Sequence, residues 1–123
     1  MSYDLAVWEG EQPDSDADAA KAFGELVDRY LEQGVAEPTT RAVREYVEAL
    51  LERWPDITGE GSQDSPWATG PIAYDNIGSF FYMTMRYDRA RAAITVAADL
   101  ATELGLVCFD PQTGKLHRRA IHD

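Results

Sequence analysis

The sequence predicts an α+β domain, on three observations. Residues 2–8 and 79–87 alternate their side chains at the two-residue period of a strand. Three longer stretches recur in apolar residues three and four apart, the period of a helix that faces a core. The elements follow one another as strand, helix, helix, strand, strand, helix, strand. At 123 residues and 45% hydrophobic content, the chain suffices for one domain, 1–123, around a single core.

In the first strand, Tyr3, Leu5 and Val7 alternate with Asp4, Ala6 and Trp8. The turn-forming run 9–13 ends it. Asp14, Ser15 and Asp16 offer caps for a helix, and their charges suit its N-terminus. Phe23, Leu26, Val27, Tyr30 and Leu31 form its stripe, Gly24 should weaken its middle, and Gly34 is its stop. A threonine after Pro38 caps the second helix. Its stripe is Val43, Tyr46, Val47, Leu50, Leu51 and Trp54, while Arg41–Glu45 and Arg44–Glu48 mark a solvated face. Trp54, before Pro55, is expected to be largely buried.

Residues 56–66 read as a long polar loop. A strand over 72–74, a turn at Asp75–Gly78 and a strand over 79–87 follow. Phe81, Met83, Met85 and Tyr87 alternate there with Phe80, Tyr82, Thr84 and Arg86, so both faces carry large groups, as in a central strand. Asp88 is expected to cap an alanine-rich third helix along Ala90, Ala93, Ala97, Leu100, Ala101 and Leu104, stopped by Gly105. Residues 106–110 form the last main strand. A turn at 111–114 starts a short hairpin with 115–118, and 118–123 are expected to fray.

With its first two helices counted as one crossover, this order is the split βαβ of ferredoxin-like folds. The expected sheet is four-stranded and mainly antiparallel, with the first strand beside the third, the second and fourth at the edges, and helices on one face only. The other face is then open. Alternation sends Asp4, Ala6, Trp8, Phe80, Tyr82, Thr84 and Arg86 to it.

Charge divides the chain. Residues 1–64 hold 16 acids and 5 bases, whereas 65–123 hold 6 of each, so the whole net charge of −11 belongs to the first half. Such a field disfavours nucleic acid and anionic membranes and favours basic proteins as partners. The N-terminus has no signal-peptide pattern and no apolar run could span a bilayer, so a cytoplasmic location is expected. The lone Cys108 excludes an internal disulfide and, between Val107 and Phe109, reads as packing rather than as a nucleophile served by His117 or His122.

No phosphate loop, nucleophile elbow or Ser/His/Asp arrangement is present, so no catalytic residue or cofactor is assigned and an enzyme is the less favoured class. Two histidines among scattered acids lack metal-ligand spacing, and Asp14, Asp16 and Asp18 fail the calcium-loop pattern because Ala19 stands where its glycine should be.

Two functional readings follow. In the first, the chain is a small acidic binding protein, an immunity-type inhibitor of a basic bacterial toxin. Asp14, Asp16, Asp18, Glu45, Glu48 and Glu52 would steer the partner, and Trp8, Trp67 and Tyr82 would anchor it. In the second, the open sheet face forms a homodimer around a pocket for a small molecule, lined by Asp4, Tyr74, Asn76, Tyr82 and Arg86.

The opening Met1-Ser-Tyr-Asp-Leu-Ala-Val-Trp8, the central Ser65-Pro-Trp-Ala68 and Gly105-Leu-Val-Cys-Phe-Asp-Pro-Gln112 resemble a family of short uncharacterised bacterial proteins, commonest in actinobacteria. The resemblance spans nearly the whole chain and implies no catalytic residues. Its small, acidic, single-domain character is similar to that of immunity proteins of bacterial toxin systems.

Overall fold

The computed structural model describes residues 2–54, 66–67 and 76–117. The first strand, β1, covers Ser2–Trp8. Helix α1, Asp16–Leu26, continues without a break into a π-helical segment, Val27–Glu32. Helix α2 covers Arg41–Arg53, and β2 is the two-residue strand Asn76–Ile77. Strand β3, Phe80–Arg86, runs straight into α3, Tyr87–Glu103. Strands β4, Val107–Asp110, and β5, Lys115–His117, close the described chain as a hairpin.

The strands make one antiparallel sheet in the order β2-β3-β1-β4-β5. The α+β class and the placing of β1 beside β3 hold. The four expected strands are joined by a fifth, so β4 is interior and β5 takes its edge. In the long β1–β3 ladder Leu5 lies opposite Met83, Asp4 opposite Thr84 and Trp8 opposite Phe80. Trp67 adds a single antiparallel bridge to Met85 on the β2 side of β3.

The expectation of helices on one face is overturned. Leu5, Val7, Phe81, Met83, Met85 and Cys108 pack beneath α2 and α3, with Val43, Tyr46, Val47 and Leu50 from one helix and Ala90, Ala93, Ala97 and Ala101 from the other. The alanines let α3 lie close to the sheet. There the Tyr46 hydroxyl donates to the Ala97 carbonyl at 2.7 Å. On the opposite face Ala6, Trp8, Phe80, Val107, Phe109 and Leu116 pack beneath α1 and its π-helical end. Phe23 is central to that layer, with its ring 5.4 Å from Phe109, 5.9 Å from Tyr82 and 6.3 Å from Phe80. Strands apolar on both faces need a helix on each, because neither face can be left to water without losing its hydrophobic stabilisation.

Local signals mostly acted as expected. Ser15 is the N-cap of α1 and accepts from the Asp18 amide at 3.1 Å, and Thr40 caps α2 by accepting from Val43. Gly34 and Gly105 follow their helices at φ 67 and 76, the left-handed conformation in which glycine carries no side-chain penalty. Gly24 has open space around it, so nothing approaches there.

Four details differ. Leu31 is exposed, because the wider π turn carries it off the buried stripe. Asn76 and Ile77 are strand rather than turn, and the reversal is at Gly78–Ser79. The N-cap position of α3 is Arg86, so Asp88 falls inside the helix instead of before it. Trp54 is half-buried, set edge-on to Trp67 at 5.9 Å. The strand expected at 72–74, most of the 56–66 loop and the tail at 118–123 lie outside the described residues.

Candidate functional site

The residues expected to anchor a partner are largely core. Trp8 is 4% exposed and Trp67 is 2% exposed. Trp8 is covered by the α1 layer, and Trp67 is packed against Trp54 with its indole N–H directed to the Trp54 carbonyl at 3.4 Å. Tyr82 is half-buried, stacked on Phe23, and donates its hydroxyl to Asp4 Oδ2 at 2.7 Å. Burial, and then this carboxylate, hold its phenol protonated far above the ordinary tyrosine range.

The proposed small-molecule pocket is not assembled either. The sheet face that was to be open lies beneath α1, which also occupies the surface expected to pair two copies. Asn76 pairs with Phe81, five residues along β3 from Arg86, or roughly 17 Å at the strand rise. Tyr74 lies outside the described residues. At the end of the sheet that carries Asp4, the face turns polar. Asp4, Thr84 and Arg86 are half-buried there, and the Asp4 amide donates to Gln112 Oε1 at 2.8 Å. Asp4 Oδ1 is buried with no hydrogen-bond partner among the described residues.

Cys108 is fully buried opposite His117 in the hairpin. Burial, and then the Asp110 carboxylate, raise its pKa well above the ordinary thiol value, so the sulfur is held as a thiol. Asp110 is itself committed. Its Oδ1 accepts the Gln112 and Thr113 amides of the turn at 2.9 and 3.2 Å, and its Oδ2 accepts the Tyr3 hydroxyl.

The six acids expected to steer a partner are all exposed, but they do not form one surface. Asp14, Asp16 and Asp18 belong to the start of α1 on one side of the sheet. Glu45, Glu48 and Glu52 project from α2 on the other. Asp16 also has a structural duty, since its Oδ1 accepts the edge amide of Leu116 at 2.9 Å. Glu45 pairs with Arg41 at 3.0 Å.

A different set of acids is gathered. A groove of about 500 Å³ runs between the end of β1 and the π-helical segment. Trp8, Ala22 and Leu26 give it an apolar floor, and Glu11, Glu25 and Asp28 edge it beside Arg29 and Gln33. The wide π turn builds one wall. It bonds the Gln33 amide to the Asp28 carbonyl at 2.8 Å, a five-residue spacing that stacks the two side chains. Gln33 Nε2 then donates to Asp28 Oδ2 at 2.6 Å. In an α-helix residues three and four apart would face one another instead. The other wall is the 9–13 loop, tied down by Gln12 Nε2 on the Leu106 carbonyl at 3.2 Å.

Arg29 does not neutralise this groove alone, because it is ion-paired to Glu37. That pair, with the Tyr30 hydroxyl on Glu37 Oε2 at 2.9 Å, holds the Glu37 carboxyl below the usual range. The sequence pattern singles out neither Glu11 nor Asp28, and it places Glu25 only within the first helix, at the twelfth offset of the failed calcium-loop pattern. The available signal was that Glu25 and Asp28 lie three apart on the outer face of a helix whose inner face is Phe23 and Leu26.

No family model, curated protein or solved structure matches this chain. Among the described residues no helix is long and apolar enough to cross a membrane.

Proposed function

We propose that this chain is a non-enzymatic binding protein for a basic protein partner, acting in the manner of an immunity-type inhibitor of a basic bacterial toxin. The groove between β1 and the π-helical segment carries the reading. It is a concave, acid-edged surface on a chain of net charge −11. Acids on both sides of the sheet would raise the encounter rate with a cationic partner, and the groove would give that partner a place to lodge. The raised pKa of the buried Cys108 and the structural commitments of Asp110 and Asp4 support a binding rather than a catalytic role.

The architecture supports a variant of the ferredoxin-like split βαβ. β1 lies beside β3, and helical crossovers join the two halves, while α1 on the opposite face sets the chain apart from that pattern.

The test is binding to the product of the adjacent reading frame, and to basic and acidic proteins of matched size, by interferometry. It is run at about 0.1 M and about 1 M salt, where the Debye length is about 10 Å and about 3 Å. Basic proteins should associate faster at low salt and lose that advantage at high salt. Equal association of acidic and basic proteins would defeat the proposal.

A further inference from the structure

We infer that α1 is a cover that detaches from the sheet as one unit while β1, β3, α2 and α3 stay folded. Its release bares the apolar surface of β4 and β5 beneath it.

The three helices are held unequally. Of the eleven residues of α1 only Ala19 is buried, and Phe23 and Leu26 are half-buried. Helix α2 buries Val43, Tyr46, Val47 and Leu50, and α3 is buried along Ala90, Ala93, Ala97 and Ala101. Those two helices share one core with the sheet, and no buried residue of that core belongs to the layer beneath α1. Helix α1 can therefore leave without opening it. Elements with few buried apolar groups open at a lower free energy than the whole domain.

Helix α1 is also weak as a helix. Gly24 lies in its interior with open space where a Cβ would stand, so it gives up helix propensity for no gain in packing. Residues 14–33 hold six acids and two bases, and the last turn of α1 has no base to meet the helix dipole.

Its two ends are fixed in different ways. Beyond Leu26 the chain is anchored by Tyr30, which is buried, stacks on Phe80 and is held by Glu37. The other end is clasped to the sheet edge, where Asp16 Oδ1 accepts the Leu116 amide at 2.9 Å. Ser15 already caps α1, so the Asp16 carboxylate is free to serve the strand. Detachment would break that bond, draw Phe23 away from Tyr82 and Phe109, and bare Phe109 and Leu116. The Leu116 amide thus reports the release of α1 from 100 positions along the chain.

The test is native-state hydrogen exchange followed by ¹H–¹⁵N NMR, with each rate taken relative to the unfolded chain. The amides of 20–26 and of Leu116 should share one opening equilibrium, about tenfold or more above that of the slowest amides of β1 and β3, with a flatter response to low urea. Gly24→Ala should slow the α1 amides and Leu116 by a common factor of about fivefold. Val47→Ala, in the other core, should speed the slowest amides of β1 and β3 by about thirtyfold or more, and change α1 and Leu116 by less than about twofold. The urea response draws the same distinction should Val47→Ala fail to fold.

Exchange of α1 at the rate of the slowest amides, or acceleration of α1 in step with β1 and β3 in Val47→Ala, would overturn the separate opening. A Leu116 amide left unchanged by Gly24→Ala would overturn the release as a unit, because α1 would then fray without leaving the sheet.

Discussion

Gly78→Ala is expected to cost more stability than any glycine replacement at a helix stop, and the structure separates the two reasons. Gly78 has φ 55. A left-handed conformation costs a non-glycine residue about 1–2 kcal/mol. A Cβ at Gly78 would also stand 2.6 Å from the Tyr30 hydroxyl oxygen and 2.8 Å from Cζ, well inside ordinary contact. Tyr30 has little room to yield. It is 6% exposed, its ring stacks on Phe80 at 6.2 Å and 12°, and its hydroxyl is held by Glu37. Forcing a carbon into a packed site adds about 1–3 kcal/mol. The sum for Gly78→Ala is therefore about 2–5 kcal/mol.

Gly34→Ala supplies the comparison. Gly34 has φ 67, but nothing lies within 4 Å of its would-be Cβ. Only the conformational cost of about 1–2 kcal/mol applies there. Urea denaturation followed by tryptophan fluorescence gives both values, provided the m-values agree. In a Tyr30→Ala background the ring is gone, and Gly78→Ala should fall to the cost of Gly34→Ala. Equal losses at Gly78 and Gly34 in the wild-type background, or an unchanged Gly78 cost without Tyr30, would refute the close approach as the cause.

Three further outcomes are expected. Asp16→Ala should cost about 1–2 kcal/mol and speed hydrogen exchange at the Leu116 amide, because the edge strand loses its side-chain acceptor; Asp16→Asn, which keeps an acceptor oxygen, should stay within about 0.5 kcal/mol. Glu37 has a folded pKa below its unfolded value of about 4.3, so its share of stability is present above that pH and is lost as pH falls through the lowered value; Glu37→Gln should flatten the acid limb of a stability–pH curve measured by urea denaturation. Cys108 should react with a thiol reagent at pH 8 slower than in the unfolded chain by on the order of 10³-fold or more, and rapid labelling of the native protein would contradict its placement in the core.

The site was less legible than the fold, for a reason seen in Trp8. Alternation placed its side chain on the correct face, with Asp4 and Ala6, but carried no information on whether that face meets water. Large apolar groups on both faces of 80–86 were the available clue. They imply cover on both sides, and among the described helices α1 is left to provide the second cover once α2 and α3 lie together. Trp67 was misplaced for a similar reason. It follows a polar stretch of sequence, but its backbone bridges to Met85 and its ring completes the α2–α3 core.

What the sequence determined by itself was set by short-range chemistry. β1 is Ser2–Trp8 because its residues alternate, α1 and α2 begin where Ser15 and Thr40 can accept an amide, and chain reversals follow Gly34 and Gly105 because those positions need positive φ. Each of these depends on residues within a turn of one another. The tertiary structure decided the side of the sheet on which α1 lies, and with it the burial of Trp8 and the separation of the six expected acids onto two surfaces. It also drew Glu11 toward Glu25 and Asp28, across 14 and 17 positions of chain, around a helix wound wide enough to pair Asp28 with Gln33. Spacing in the sequence reports which residues share a face. Which faces meet depends on the hydrophobic area that all the elements can bury together, and that is a property of the assembled chain.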